Sequence, residues 1–426
     1  MLRTMNAMPQ PSSLVSELIR FPRSPNDFRV HVVSVRVDDS IESELSESVA
    51  RCVASGVSEN PDIALAAAIG ESWERIAFVN TIDLLRKSET TTFPRSLDPL
   101  LFKQLPFLLD RATDRSQWER QAVAARVRLR SYELHSAGGR EKQTVLPVDV
   151  MVPNMRASLF ETTNGLACAE NVDIALDRAV CEIVERDALM LVWLTRSGGR
   201  RISHKGLLSA DLCEQISRMA ELQIKTTFRD ISTPLGFKVF LVSISSDFNG
   251  KRFGLAFGAG ANSSAKKAAR HAFLEACLSW RGVSWRTTSG DTSDLNGRPT
   301  SFAGHAEFYS NWDQMHRLDF LIENESLEAS QHEYEFCDED LSSERDSGHV
   351  ELLVQQGLDV LSTDITPHEA AASGLRIVQA VVPGLVPLYI GDRTADSLAT
   401  ARLPTSIGGI KVPIQSALNS NVHPWP

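Results

Sequence analysis

Two clusters of glutamate and arginine, far apart in a chain of 426 residues, have the clearest capacity for chemistry. The clusters are Glu71, Glu74 and Arg75, then Glu182, Glu185 and Arg186. Residues three apart share one face of a helix, so each glutamate pair points in one direction beside its arginine. Carboxylates without histidine or thiol partners favour Mg²⁺, and arginine binds phosphate through paired hydrogen bonds. The residues alone therefore predict nucleotide phosphates held by glutamate-bound Mg²⁺.

The plainer alternative is that these are solvent-facing charges at ordinary helical spacing. Two observations oppose it. The pairs recur, and the segments that carry them are strongly apolar, with Trp73 and Ile76 in one and Val180 and Val184 in the other. A buried face with four carboxylates is unfavourable unless cations neutralise it.

The clusters lie in an internal repeat, which predicts the elements that position them. Residues 59–77 and 170–188 match at many positions, and a weaker copy at 263–279 keeps the alanines and Glu275. Each copy has Asn or Ser before an alanine-rich run, which predicts an N-cap followed by a helix. We expect three related helices within one folded unit.

Apolar runs between the repeat copies and on either side of them predict strands. These runs are Val30–Val37, Val145–Val152, Phe237–Ile244, Phe253–Phe257 and Gln379–Ile390. Helices and strands together predict an α/β (α+β) fold. We expect a possible partner-docking extension over residues 1–45, a catalytic domain over 46–426, and a solvated acidic loop over 337–349.

A glycine pattern offers a competing nucleotide site. Gly258 and Gly260 follow an apolar strand and precede a helix, as in a dinucleotide-binding fingerprint. However, Ser263 replaces the third glycine, and no acidic residue ends a second strand about twenty residues on. A tight strand-to-helix turn accounts for the glycines. The chain also has no Walker loop, so any ATP site must be built differently.

Composition excludes several classes of function. Lys plus Arg is 44 against 54 for Asp plus Glu, and the net charge of −10 disfavours nucleic acid. The densest apolar run, Ala188–Leu194, is too short to span a membrane, and the first residues lack the apolar region that a secretory signal needs. Six scattered cysteines indicate reduced thiols in a cytoplasmic protein, without a zinc site.

Several motifs resemble those of the YcaO family, specifically its azoline-forming branch. The resemblance covers residues 45–426. It rests on the G-x-S loop and E-x-x-E-R at 56–75, T-N-G-L-A and E-x-x-E-R-D-A at 163–188, the third helix at 275–280, the P-G-L-V-P-L stretch at 382–391, Arg402-Leu403, and the H-P-W-P ending at 423–426.

The resemblance implies a YcaO fold, with mixed sheets packed by helices around an ATP and Mg²⁺ site. It also implies an ATP-dependent cyclodehydratase that acts on a ribosomally made precursor peptide, converting Cys, Ser or Thr to thiazoline or oxazoline. Such an enzyme phosphorylates the amide-derived oxygen, because phosphate is a far better leaving group.

The resemblance also implies roles for individual residues. The Mg²⁺ ligands would be Glu71, Glu74, Glu182 and Glu185. The nucleotide-binding residues would be Arg75, by the internal repeat, with Asn164, Glu170, Asn171, Arg186, Glu275 and Arg281. The proline-rich tail would reach the active site, where the terminal carboxylate of Pro426 would accept a proton.

The chain departs from the family pattern at two places. Ala169-Glu170-Asn171 stands where Gly-Asn-Thr is usual, which leaves open whether Glu170 or Asn171 meets the nucleotide. In the third helix, Leu278 and Trp280 replace the usual Gln and Arg, with Arg281 one position late. Loss of a nucleotide contact and a diverged subclass are both open.

The resemblance implies partners as well: a precursor peptide, a ubiquitin-activating-like protein that binds its leader, and in many pathways an FMN dehydrogenase. We expect a homodimer inside a multi-subunit azole synthetase that makes bacteriocin-like antibiotics. Two alternatives stay open. One is a YcaO-type enzyme that forms thioamides or amidines, and the other is a non-catalytic scaffold subunit of the modification complex.

Overall fold

The computed structural model describes residues 15–22, 27–37, 53–87, 126–133, 140–147, 163–248, 251–289, 305, 308–309, 312–322, 348–382, 384–388, 405–412 and 418–425. The strands are β1 Val15–Arg20, β2 His31–Val37, β3 Val53–Ser58, β4 Arg126–Glu133, β5 Arg140–Pro147, β6 Leu166–Ala169, β7 Arg200–Ile202, β8 Ile224–Asp230, β9 Lys238–Phe248, β10 Lys251–Asn262, β11 Val360–Asp364, β12 Arg376–Val381, β13 Ser406–Ile407 and β14 Ile410–Lys411. The helices are α1 Pro61–Lys87, α2 Val172–Thr195, α3 Ala210–Glu221, α4 Ala265–Ser289, α5 Trp312–Met315, a 3₁₀ turn His316–Leu318, α6 Asp319–Ile322, α7 His349–Gln355 and α8 His368–Ala372.

The described strands form three sheets and one two-stranded ribbon. The sheets have the orders β1-β2-β3, β10-β9-β8-β7 and β5-β4-β11-β12-β6, and the ribbon is β13-β14. Neighbouring strands pair antiparallel in all of them. Helices pack against these sheets, so the predicted α/β (α+β) class is confirmed.

The internal repeat folds as three strand–helix units: β3–α1, β6–α2 and β10–α4. The predicted N-caps are confirmed. Asn60 Oδ1 accepts from the Asp62 N–H at 2.8 Å, and Asn171 Oδ1 accepts from the Ile174 N–H at 2.9 Å. Ser264 precedes α4 and orients its hydroxyl in the same way. The caps fix where each helix begins, and therefore where its glutamates lie.

Close strand–helix packing explains the glycines of β10, and the predicted tight turn was wrong. Gly258 and Gly260 lie inside the strand rather than after it. A Cβ atom on Gly258 would lie 2.0 Å from the backbone nitrogen of Ala276 in α4. Gly56 in β3 faces α1 in the same way, 2.0 Å from the carbonyl oxygen of Ala64. Two of the units therefore press their helices directly onto the strand backbone.

The central helix α2 lies in the middle of the core. Its run Ala188–Leu194 is completely buried, together with Thr195. One face of the β10-β9-β8-β7 sheet, with Phe257 and Leu241, packs towards α2. The other face, with Phe240, packs towards α3 and α4. No helix among the described residues is long and apolar enough to cross a membrane.

The described part of the predicted N-terminal extension is integrated into the fold. Strand β2 confirms the strand expected over Val30–Val37, and it pairs with both β1 and β3. Phe28 and Val32 are buried in the core beside α4. The boundary between residues 45 and 46 lies outside the described residues, so the division into 1–45 and 46–426 stays a prediction.

Other strand predictions held in part. Strand β9 covers the run at 237–244 from Lys238 onwards, and β10 covers the run at 253–257. Strand β5 includes residues 145–147, and the rest of the run at 145–152 lies outside the described residues. In the described part of the run Gln379–Ile390, only residues 379–381 are strand, and the Val386 N–H donates to the Asp187 side chain instead of to a sheet. Most of the acidic stretch 337–349 lies outside the described residues, but His349 is buried at the start of α7.

Candidate functional site: a glutamate cluster between three helices

The glutamate pairs of α1 and α2 converge. The pKa of Glu74 is raised to about 8, first by burial and then by the neighbouring charges of Glu182 and Glu71. The pKa of Glu182 is raised to about 7, again first by burial, although the Arg186 guanidinium opposes the shift. The charges of each cluster thus raise the pKa of a carboxyl group in the other, across the interface between α1 and α2. This is the proximity that the repeat predicts.

A fifth carboxylate joins from α4. Burial is the main cause that raises the pKa of Glu275; the neighbouring His271 side chain opposes this shift, and the charges of Glu185 and Glu71 reinforce it. Glu275 follows its N-cap Ser264 at the same interval at which Glu71 and Glu182 follow theirs. The three units therefore each contribute an equivalent glutamate to one cluster.

Backbone N–H groups fix three of these carboxylates. Glu71 Oε2 accepts from Ser55 N at 2.7 Å, and Glu182 Oε2 accepts from Gly165 N at 3.1 Å. These two bonds join each helix to the chain before or within its own strand. The third crosses between units, since Glu74 Oε1 accepts from the N–H of Cys168 in β6 at 2.7 Å. We did not anticipate these tethers, because no sequence pattern marks a backbone donor.

The cluster is recessed but accessible. The side chains of Glu71 and Glu182 keep 33% and 27% of their surface exposed, whereas Glu185 keeps 11%. Carboxylates that gather this closely repel one another, so the arrangement favours a cationic ligand that enters from the open side.

The two arginines differ in their partners. Arg75 donates a short hydrogen bond to Glu71 of its own helix. Arg186 NH2 lies 3.8 Å from Glu182 Oε1, and Arg186 Nε lies 4.0 Å from Glu185 Oε1, both beyond hydrogen-bond range. The Arg186 Nε is buried without a hydrogen-bond partner among the described residues. Such a donor fits an incoming anionic group.

The donor set fits magnesium bound together with phosphate. Within the described ranges, no three His, Cys, Asp or Glu side chains already surround one point as metal ligands. Magnesium does not need such a cage, because it typically binds one or two carboxylates, water and substrate phosphates. Oxygen donors beside an unsatisfied arginine match that requirement.

The other nucleotide candidates from the second repeat lie around the start of α2. The Asn171 side chain caps the helix, and Glu170 beside it is exposed. Asn164 is half-buried in the turn before β6, where its Nδ2 lies 3.4 Å from the carbonyl oxygen of Leu388. Because capping already uses the Asn171 oxygen, Glu170 is the freer side chain of that pair.

Arg281 is not brought to the cluster. Its NH2 lies 2.7 Å from Asp27 Oδ2, and further donors point to the carbonyl oxygens of Pro22 and Phe28. Six residues beyond Glu275, it projects from a different side of α4. The predicted nucleotide contact does not fit this placement, because the guanidinium joins α4 to the N-terminal strands.

The C-terminal tail lies along the buried end of α2. Asn419 N donates to the Leu194 carbonyl oxygen at 2.8 Å, and Asn419 Nδ2 donates to that of Trp193 at 3.1 Å. Trp193 Nε1 donates in return to the Asn421 carbonyl oxygen at 2.9 Å. These bonds join the tail to the central helix.

The end of the tail is buried as well. Trp425 packs edge-on against Phe257, with ring centroids 5.2 Å apart, and the His423 side chain is fully buried. Residues 418–425 are therefore packed against the core rather than frayed. Pro426 lies outside the described residues, as does the Arg402-Leu403 pair.

Comparisons with known proteins agree with this geometry. Residues 55–386 match the model of the YcaO cyclodehydratase family, which is described as ATP- and Mg²⁺-binding. A search of curated protein sequences found no match.

Among solved structures, the chain is similar to YcaO from Methanopyrus kandleri bound with AMPPCP and Mg²⁺. The TM-score is 0.59 at 16% identity, over 92% of this chain and 93% of that one. A heterocyclase in complex with substrate and cofactor gives 0.59 at 16% identity and 90% of this chain, which spans 52% of that protein's length. The E. coli microcin synthetase McbBCD complex gives 0.58 at 16% identity, over 86% of both chains. These likenesses establish the fold.

Proposed function

Because the chain belongs to the ATP- and Mg²⁺-binding YcaO cyclodehydratase family, we propose that it is an ATP- and Mg²⁺-dependent cyclodehydratase. Its substrate is a ribosomally made precursor peptide, whose Cys, Ser or Thr residues become thiazolines or oxazolines. The carrying observation is the cluster of five glutamates from three helices beside an arginine, Arg186, whose Nε makes no hydrogen bond within the part of the chain that the structure describes.

The reaction removes the elements of water in two stages. The peptide thiol or hydroxyl attacks the carbonyl carbon of the preceding amide and loses its proton, which closes the ring. The former carbonyl oxygen then attacks the γ-phosphorus of ATP, and ADP departs. Loss of the amide N–H proton and of phosphate forms the C=N bond. ATP thus converts a poor oxygen leaving group into phosphate.

The chain's residues divide the work of phosphoryl transfer, which depends on positioning and charge neutralisation. We assign Glu71, Glu74, Glu182 and Glu185 to holding Mg²⁺, which when bound neutralises phosphate charge. Arg186 donates to a phosphate oxygen. The remaining nucleotide contacts are assigned to Arg75, Asn164, Glu170, Asn171 and Glu275.

The tail supplies the proton acceptor in this proposal. Residues 418–425, which precede the final residue, are anchored on α2. We assign the terminal carboxylate of Pro426 to accept the proton lost during cyclisation. Appending one residue displaces that carboxylate and should strongly reduce cyclisation, while MgATP binding stays unchanged. Undiminished cyclisation would count against the assignment.

The proposal extends to partners. A separate leader-binding protein of the ubiquitin-activating-like type presents the peptide, an FMN dehydrogenase oxidises the azolines, and the chain acts as a homodimer. The similar E. coli microcin synthetase is the McbBCD complex, which is also known with pro-MccB17 bound. That precedent supports an assembly of this kind for the present chain.

The test combines purified protein, leader-binding partner, precursor peptide and MgATP, followed by mass spectrometry. Loss of one water per modified residue with ADP release supports the proposal. A gain of sulfur for oxygen indicates thioamide formation instead, and absence of turnover with an intact complex indicates a scaffold.

A matched pair of variants tests the metal assignment. Glu182→Gln removes one carboxylate from the cluster, whereas Glu221→Gln changes an exposed glutamate at the end of α3. We expect Glu182→Gln to abolish ATP-dependent turnover, with thermal unfolding like that of the native protein. Glu221→Gln should retain full activity. Normal rates for Glu182→Gln contradict the assignment.

A further inference from the structure

One buried carboxylate next to the cluster has no role in the reaction described above. Asp187 follows Arg186 on α2, and its side chain is fully buried. Its Oδ1 accepts a hydrogen bond of 2.8 Å from the backbone N–H of Val386. A buried carboxylate is costly unless hydrogen-bonded, so this bond strongly favours one position for the segment 384–388.

The same segment reaches the turn beside the cluster. The carbonyl oxygen of Leu388 accepts from Asn164 Nδ2 at 3.4 Å. Gly165 follows, and its N–H donates to Glu182 Oε2. The turn is also held from β12, where Gln379 Nε2 donates to the Asn164 carbonyl oxygen at 2.7 Å.

The turn leaves little room for movement. Gly165 has a positive φ of 74°, and a Cβ there would lie 2.4 Å from the Ala380 carbonyl oxygen and 2.9 Å from Ile183 of α2. The turn is therefore confined between β12 and the helix that carries Glu182. A small displacement of Leu388 would therefore move Asn164, which it contacts directly. It would also move the next residue, Gly165, whose N–H holds Glu182.

We propose that Asp187 is a positioning residue for the nucleotide site. Its hydrogen bond to Val386 fixes the position of the Leu388 carbonyl group, which orients Asn164. Asn164 and Gly165 form the turn whose backbone N–H holds Glu182. Asp187 itself touches neither ATP nor peptide. This inference rests on the proposed function, because it assumes that Asn164 and Glu182 face MgATP.

The test is the steady-state kinetics of the full chain with its partner, its peptide and MgATP. Asp187→Ala removes the acceptor, and we expect the KM for MgATP to rise about tenfold, with a smaller loss of kcat. Asp187→Asn keeps an oxygen that can accept from Val386, so it should restore the KM to within about threefold. Val386→Pro removes the donor instead, and should reproduce the alanine phenotype if Asp187→Ala fails to fold.

A matched control lies on the same helix. Asp177 is also buried and accepts from backbone N–H groups, at 3.0 Å from His349 and 3.2 Å from Val350, but these belong to α7. Asp177→Ala should lower the melting temperature and leave the KM for MgATP unchanged. If Asp187→Ala behaves in the same way, its role is only structural and the inference is overturned.

A double-mutant cycle tests the route. In an Asn164→Ala background, Asp187→Ala should raise the KM by less than about threefold, because the contact that transmits the effect is already lost. Full additivity overturns the route through Leu388. The proposed function fails separately: Glu182→Gln would then retain turnover, whatever the Asp187 variants do.

Discussion

The first two glutamate helices, α1 and α2, are equivalent in sequence and differ in how they use their arginines. In α1, Arg75 hydrogen-bonds Glu71 one turn away, so the pair neutralises itself. In α2, Arg186 NH2 stands 3.8 Å from Glu182 Oε1, which is beyond hydrogen-bond range. One motif therefore yields a closed ion pair in one helix and an open donor in the other.

This difference indicates a division of labour within the repeat. A closed pair mainly lowers the repulsion among the carboxylates, whereas an open donor can stabilise charge that develops on a ligand. The more buried helix carries the open donor, since α2 lies in the centre of the core. We infer that α2 contributes the catalytic half of the site and α1 the supporting half.

The largest effect is expected from replacing Arg186, the open donor of α2. Arg186→Ala should lower kcat about 10²–10³-fold, the usual cost of removing a donor aimed at transition-state charge. Arg186→Lys should recover part of the rate, because a lysine keeps the charge but not the fork. Kinetics of peptide modification measure both. The control is Arg270→Ala on α4, which loses only an exposed pair with Glu59; equal losses there would refute the role of Arg186.

A smaller effect is expected on the α1 side. Arg75→Ala should lower kcat about tenfold or less, because the Arg75 guanidinium is already hydrogen-bonded to Glu71 and therefore contributes less to the nucleotide than Arg186 does. It should also raise the pKa of Glu74 further, since the Arg75 charge now opposes that shift. The same kinetic assay, run as a function of Mg²⁺, checks this prediction. A loss as large as that of Arg186→Ala would make the two helices functionally equivalent.

The pH dependence of stability sharpens the comparison of the carboxylates. The pKa of Glu74 rises from 4.5 to about 8 on folding, so the folded state binds more protons than the unfolded state between these values. Stability without metal should therefore fall as pH rises from about 5 to 8. We expect Glu74→Gln to reduce this pH dependence, so that the fall in melting temperature between pH 5 and pH 8 becomes about 2–4 °C smaller. Mg²⁺ needs ionised carboxylates, so MgATP should raise the melting temperature more at pH 8 than at pH 6. Scanning calorimetry with and without MgATP measures both effects. A melting temperature of the native protein that does not change with pH would contradict the assignment of this effect to Glu74.

The sequence predicted the local features of this site well. Helical spacing, repeated caps and apolar faces depend on residues close together in the chain, and these placed Glu71, Glu182 and Glu275 correctly on three helices.

Features set by tertiary contacts were beyond the sequence. The N–H of Cys168 that tethers Glu74 belongs to a different unit, and nothing in the residue type marks it. Gly258 is required by a helix that approaches its strand, not by a turn. The partner of Arg281 is Asp27, far away in the chain, so proximity to Glu275 in sequence was misleading.

The smallest expected effect on activity separates α4 from the other two helices. α4 keeps one cluster glutamate, while Leu278 and Ser279 stand where α1 and α2 have their second glutamate and arginine. Its next arginine, Arg281, serves the N-terminal strands instead, with only 9% of its side chain exposed.

Arg281→Ala should therefore change kcat and the KM for MgATP by less than about twofold. The free energy of unfolding should nevertheless fall by about 2–4 kcal/mol, because the substitution leaves the Asp27 carboxylate, which is only 15% exposed, without its cation. Urea unfolding and kinetics below the melting temperature measure the two effects. Asp27→Asn together with Arg281→Met should recover much of the stability, since neither remaining side chain carries a charge. A large rise in the KM for MgATP in Arg281→Ala, with stability preserved, would contradict this prediction. It would indicate that Arg281 contacts the nucleotide and that α4 contributes an arginine to the site as α1 and α2 do.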